Sequence, residues 1–315
     1  MRVIYLFFTQ SCLSLLSKDL YLTNSPTVGI LTLDFWDDGD GTRKTQIKAS
    51  YLNWLEQHNI RWIEVNMYEP RDQWEPRLAV TDGLLLTGGA QFFNNDDGSK
   101  TLYFQQVEKL LEYFLERNSK GKKYPLWSTC LGFEALVIIM SNYSIERREV
   151  DNKFHGSSMQ TLDVENTLFE KYFSMKEKSL LVKEGSLHYN HKWAFLMDEV
   201  LFNKVLMESF RMVGTSIARS GEKVLAMIEH KVLPIIGTQF HPEAAQFLYD
   251  RPNVDSHLED FQRINRKFGF LFKQLLGKVK PKSYDEVQKL RRKFTMRVDK
   301  SKSLFVVFDR LMESI

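Results

Sequence analysis

At 315 residues the chain can bury a full core, either as one large α/β domain or as two smaller ones. Its 43 basic and 40 acidic residues nearly cancel, at a formal +3, and no basic block is interleaved with aromatics. Charge therefore gives no reason to expect nucleic acid, and a mean hydropathy of −0.32 excludes a multi-span membrane protein.

At the N-terminus Arg2 precedes two short apolar runs, Val3 to Phe8 and Leu13 to Leu16, with small residues suited to cleavage at Cys12-Leu-Ser14 or near Ser17. This reads as a secretory signal peptide over residues 1–17; the competing reading is a first buried strand from Arg2 to Phe8. The run is too short, and too polar at Thr9 and Gln10, to span a membrane. Cys12 and Cys130 are the two cysteines. Removal of the signal would leave Cys130 alone, and an odd cysteine in a secreted chain is a candidate reactive thiol.

Pro26 to Leu33 predicts a buried parallel strand, and Asp34 to Gly41 an acidic loop. The loop does not fit a calcium site, because Trp36 sits where a ligand is needed and no Glu closes the ring. Ile47, Tyr51, Leu52 and Leu55 share one face at helical spacing. Trp62–Val65 predicts a second strand. Gly83–Leu86 predicts a third, running into Gly88-Gly89. Paired glycines there put bare backbone at the carboxyl edge of a sheet, where open α/β folds bind ligands, although the pair alone reads equally well as a plain turn. Tyr103 to Leu115 predicts an amphipathic helix.

Pro125-Leu-Trp127 then leads through Ser128, Thr129, Cys130 and Gly132 into a helical run from Phe133 to Met140. That is a strand, a tight turn and a helix, with Cys130 at the turn. A nucleophile so placed is exposed beside a helix N-terminus, whose positive end favours thiolate. The N–H of Leu131 would be free to donate to an oxyanion. A lone cysteine in an apolar run is ordinarily a small buried residue, so the later stretches decide. Asn142-Tyr-Ser144 matches a glycosylation sequon, a short motif with many chance matches.

The pattern loosens after Ser144 and tightens again at Ser186-Leu-His188-Tyr-Asn190-His191-Lys-Trp193, a polar aromatic cluster. Its two histidines have no third ligand at a helpful spacing, which argues against a metal. Val213–Ala218 and Val224–Glu229 predict a hairpin. Leu233–Phe240 predicts a buried strand that ends on His241-Pro242-Glu243. Pro242 cannot continue a central strand, so His241 and Glu243 fall at a strand end and in its exit turn. An imidazole there can take a thiol proton, and a carboxylate two residues on can hold its tautomer. His257 to Leu276 predicts a closing amphipathic helix. Lys278 to Ile315 reads as a basic extension, with a short apolar segment from Leu304 to Leu311, and forms a surface helix or a tail.

The elbow Trp127-Ser-Thr-Cys130-Leu-Gly-Phe-Glu134, together with Gly237-Thr-Gln-Phe-His241-Pro-Glu243, resembles the class I glutamine amidotransferase-like superfamily, and within it the gamma-glutamyl hydrolase branch. Ala49 to Glu56, Gly83 to Gly89 and Asn190 to Trp193 are similar to that branch as well. The resemblance runs from Pro26 to Leu276. It implies an α/β fold, a doubly wound, mostly parallel sheet with flanking helices over residues 26–277, and leaves 278–315 without a counterpart. It implies a catalytic triad of Cys130, His241 and Glu243, oxyanion donors from backbone N–H groups near Gly89 and at Leu131, and a substrate-side role for His191. Ser128 stands where the family usually has glycine, and serine is small enough for the elbow to survive. The implied activity is cysteine-type hydrolysis of γ-glutamyl amide bonds in folate and antifolate poly-γ-glutamates, through a thioester. It needs no cofactor and no metal, and its compartment would be secreted or lysosomal/vacuolar. The implied partner is a small-molecule substrate, with no nucleic acid, no membrane span and room for a homodimer. Two other readings stand beside it: a glutaminase acting on small γ-glutamyl amides, and a catalytically inactive binding protein of the same fold.

Overall fold

Short apolar runs bounded by turn residues make the centre of a parallel sheet, because strands covered on both faces need no polar alternation. Four such runs, Val28 to Leu31, Leu84 to Leu86, Leu126 to Trp127 and Ile235 to Ile236, are buried almost completely. The structure is a computed structural model that describes residues 24–37, 41–247, 258–280, 282, 287, 289–292, 295–298 and 304–308. The segment read as a signal peptide lies outside the described residues.

In chain order the first elements are β1 (Thr27–Leu31), β2 (Leu33–Asp37), β3 (Thr42–Lys48), α1 (Ala49–Gln57), β4 (Arg61–Val65), α2 (Arg71–Ala79), β5 (Gly83–Leu86) and α3 (Leu102–Ser119). There follow β6 (Leu126–Thr129), α4 (Leu131–Met140), β7 (Arg148–Ser157), β8 (Gln160–Thr161), α5 (Leu168–Tyr172), α6 (Met175–Leu181) and β9 (Leu187–Ala194). The last are α7 (Met197–Phe202), α8 (Lys204–Ser209), β10 (Phe210–Ile217), β11 (Lys223–His230), β12 (Ile235–Thr238), α9 (Ala244–Phe247), α10 (Glu259–Leu276), β13 (Thr295–Val298) and β14 (Leu304–Phe308).

The main sheet has the order β4-β1-β5-β6-β12-β11-β10-β8. From β4 to β12 every pairing is parallel, and β11, β10 and β8 continue it antiparallel. The expected α/β class, doubly wound and mostly parallel, is the one observed. So is the β10–β11 hairpin. One apolar layer gathers α3 and α4, with Phe114, Phe133 and Leu136 at 0% exposure. The other gathers α1 and α10 around Trp54, Trp127 and Phe272, whose rings lie 5.6–6.1 Å apart.

Several expectations need correction. Asp34 to Gly41 is not simply a loop: Leu33–Asp37 and Thr42–Lys48 pair antiparallel as β2 and β3. Ile47, read as the first residue of a helical face, belongs to β3, and only from Ala49 does the chain turn helical. The polar aromatic cluster around His191 is strand β9, paired with β7. The extension is not a simple surface helix or tail where it is described: Val287, Lys289 and Leu290 are helical, and Leu304–Phe308 is a strand. Its strand β14 lies between β13 and β3, with Val306 and Phe308 buried in the α1/α10 layer.

Charge fastens that extension to the edge strand. Lys282 pairs with Asp82 at 2.5 Å, Arg291 lies over the Trp62 ring, and Arg292 pairs with Glu69 and reaches Glu64. Glu64 and Glu69 are buried and also meet Arg77. Burial raises the Glu64 carboxyl despite the opposing pull of Arg77 and Arg292.

Candidate active site

Strand β6 ends at Thr129, and α4 begins at Leu131, so Cys130 alone makes the turn. Its φ of +49° and ψ of −110° are strained for a side chain with a β-carbon, and such strain at a turn is a mark of functional positions. The surroundings fix it. Cys130 N–H donates to Thr238 on β12 at 2.8 Å, and Gly132 N–H donates to Thr87 at 3.1 Å. Gly132 is needed there, because a β-carbon would come within 2.7 Å of the Leu86 carbonyl oxygen. Ser128 is accommodated because Gly237 stands across from it in register: a β-carbon on Gly237 would lie 2.9 Å from the Ser128 hydroxyl.

His241 follows β12 in the exit turn, held by its own N–H on the His188 carbonyl of β9 at 2.8 Å. Its Nδ1 lies 2.8 Å from the Glu243 Oε1. A carboxylate partner can only accept, so Nδ1 carries the proton and Nε2 keeps its lone pair. Nε2 is buried and has no hydrogen-bond partner among the described residues. The three expected triad residues are thus gathered at the carboxyl edge of the sheet. Gly88 marks the place where they meet: a β-carbon there would lie 2.6 Å from His241 Cε1 and 3.1 Å from Cys130 Cβ.

The resting thiol differs from expectation. Burial pushes Cys130 well above its ordinary value, with Glu134 adding to the rise, and the Leu131 N–H offsets this only in part. A helix N-terminus favours thiolate, but the desolvation of the buried sulfur wins. Cys130 is therefore a thiol at rest, with the Asn190 carbonyl 3.9 Å from its sulfur. The Leu131 N–H points at that sulfur rather than standing apart from it. The Gly89 N–H meets no acceptor among the described residues.

Other side chains join the site with no local motif to announce them. The Tyr51 hydroxyl accepts from Gly88 N–H at 2.8 Å and lies 3.3 Å from His241 Nδ1. Burial, with Glu243 and Cys130 nearby, keeps it a neutral phenol. Glu134, in the first turn of α4, is buried, pairs with Arg147 at 2.5 Å and accepts from Gln239 at 3.0 Å. Asn152 on β7 donates to His191 Nε2 at 3.2 Å, which places the His191 proton on Nδ1.

Tyr51, Gly88, Cys130, Glu134, His191 and His241 line a cavity of about 540 Å³, bounded also by Gly89, Phe92, Lys192, Trp193 and Phe305. That is within the usual range for small-molecule sites. His191, at 4% exposure, forms part of its wall. Among the described residues no cluster of His, Cys, Asp and Glu is arranged to hold a metal.

The sequence profile of the glutamine amidotransferase class-I family matches residues 44–259. Gamma-glutamyl hydrolase 2 of Arabidopsis thaliana is 28% identical over 258 residues, covering 78% of this chain and 70% of its own. The gamma-glutamyl hydrolase of Rattus norvegicus is 24% identical over 234 residues, covering 74% and 71%. A glutamine amido transferase from Methylobacillus Flagellatus shares the fold at 13% identity and a TM-score of 0.50, over 81% of this chain and 97% of that one. With most of its length inside that profile, the chain belongs to the class I glutamine amidotransferase family.

Proposed function

We propose that the chain is a γ-glutamyl hydrolase of the cysteine type, acting on the γ-glutamyl amide bonds of folate and antifolate poly-γ-glutamates. The observation that carries this reading is the convergence of Cys130 and His241 on Gly88, with Glu243 behind the imidazole. In this reading His241 Nε2 takes the Cys130 proton as the sulfur attacks the γ-carbonyl carbon. The tetrahedral oxyanion is met by the N–H groups of Leu131 and Gly89. His241 then gives its proton to the leaving nitrogen, and a thioester remains. Water, deprotonated by His241, attacks the thioester carbon, the C–S bond breaks, and His241 returns the proton to the departing sulfur. A neutral resting thiol suits this order, since the proton passes to His241 as the sulfur attacks.

The cavity volume and the Asn190-His191-Lys192-Trp193 wall support a chain-like substrate over a single glutamine. We read the N-terminal segment as a secretory signal, hence a secreted or lysosomal/vacuolar protein; among the described residues no helix is long and apolar enough to cross a membrane. The test is incubation with pteroyl penta-γ-glutamate, following products by mass. The expected result is γ-glutamyl cleavage that EDTA leaves intact and that Cys130→Ala reduces by at least ~10³-fold. Turnover that survives in Cys130→Ala, or that stops with EDTA, overturns the mechanism.

A further inference from the structure

Phe305 lines the cavity, yet it comes from β14, beyond residue 259, where the family profile ends. The small sheet β13-β14-β3-β2 explains how it gets there. Along β3 the side chains alternate: Gln46 and Lys48 face the cavity, and Ile47 between them is buried in the core. The register sets Phe305 beside Lys48 and Val306 beside Ile47. Hence Val306 and Phe308 anchor β14 in the core, and Phe305 is turned to the cavity side. On the same cavity Phe92 is 73% exposed, a large ring with little packing inside the chain. Exposed aromatic surface inside a concave site is the usual mark of a ligand-binding wall.

We propose that Phe305 is a specificity-determining residue, the face against which an aryl group of the γ-glutamyl substrate rests. This deepens the proposed γ-glutamyl hydrolysis and rests on it. The extension is then part of the substrate site, and aryl-capped γ-glutamyl compounds are favoured over uncapped ones.

The experiment compares pteroyl-di-γ-glutamate with N-acetyl-di-γ-glutamate, which offer the same scissile bond with and without the large aryl group. Phe305→Ala is expected to lower kcat/KM on the pteroyl compound about tenfold, mainly through KM, and to leave the acetyl compound within about twofold. Phe305→Leu, which keeps the apolar bulk and the melting temperature, should show the same selective loss, and Phe305→Tyr should restore the preference. Equal losses on both compounds, or no loss on the pteroyl compound, overturn the assignment. If the unsubstituted protein cleaves neither compound, the hydrolase reading falls instead. Calorimetric Kd for the pteroyl compound, with and without Phe305→Leu, then decides the aryl site: about tenfold weaker binding upholds it, and unchanged or absent binding overturns it.

Discussion

A single missing β-carbon sets the geometry of the candidate site. Gly88 leaves room for the Tyr51 hydroxyl, the His241 ring and the Cys130 Cβ, each within 3.1 Å of where a methyl group would sit. Gly88→Ala should therefore displace the imidazole and lower kcat at least ~10²-fold, since misplacement of a catalytic group by an ångström costs that much. The melting temperature should fall as well, because the collision falls on the buried Tyr51 hydroxyl and not on the His241 ring alone. Steady-state kinetics and thermal unfolding measured together check both halves. His191 presents a second case. If it reads the glutamate chain, His191→Asn should lower kcat/KM on polyglutamates by ~1–3 kcal/mol, with less effect on free glutamine. An equal loss on both would assign it to the cavity wall alone. Cys130, His241 and Glu243 were legible in the sequence because each sits in a local motif with its own chemistry. Tyr51, Glu134 and Asn152 were not, because what they do depends on partners 190, 105 and 39 residues away.

Among the elements, legibility followed burial on both faces. The parallel strands β1, β5, β6 and β12 read directly, because nothing polar interrupts them. Strands β2, β3 and β9 did not, since each meets the cavity and carries Asp, Lys, Gln or His there. Helix α2 was hidden by Pro76 within it and Pro70 before it. Helix α6 does carry a readable start, a capping box between Ser174 and Glu177. The contact of α10 with α1 gives a prediction opposite in sign to propensity. Alanine is the better helix former by ~1 kcal/mol. Yet a β-carbon on Gly269 would run into the His58 ring and come within 2.9 Å of Trp54 Nε1. Gly269→Ala should thus destabilise by ~1–3 kcal/mol in urea unfolding, as overpacking does. A gain in stability would show that α10 can slide away from α1.

For the whole molecule, two half-buried histidines contribute to the response to acid. Burial lowers His58 to about 4, with Lys273 and Arg266 contributing, and lowers His230 to about 4, with Lys231 contributing. His230 is held further by accepting two backbone N–H bonds on Nδ1, from Val232 and Leu233. Because the unfolded chain binds these protons first, the stability that the neutral rings contribute is present above pH 6.5 and is lost as the pH falls to about 4. Both rings keep some contact with water, so the loss is ~1–2 kcal/mol each rather than the full linkage value. Urea unfolding at several pH values should show this slope, and His58→Gln with His230→Asn should flatten it. A slope unchanged in the double variant would place the acid sensitivity in the carboxylates instead.

The insertion of β14 between β13 and β3 has a bearing on synthesis. Residues 42–48 leave the ribosome long before 304–308, yet the two segments share one wall of the cavity. While the chain is still being made, the edge of β3 has no neighbour on that side, and the pocket floor gapes where Phe305 belongs. A nascent chain can fold its parallel sheet and gather Cys130 and His241 before β14 is made. It cannot close its cavity until β14 arrives, so a strand made long after β3 completes the wall of the site.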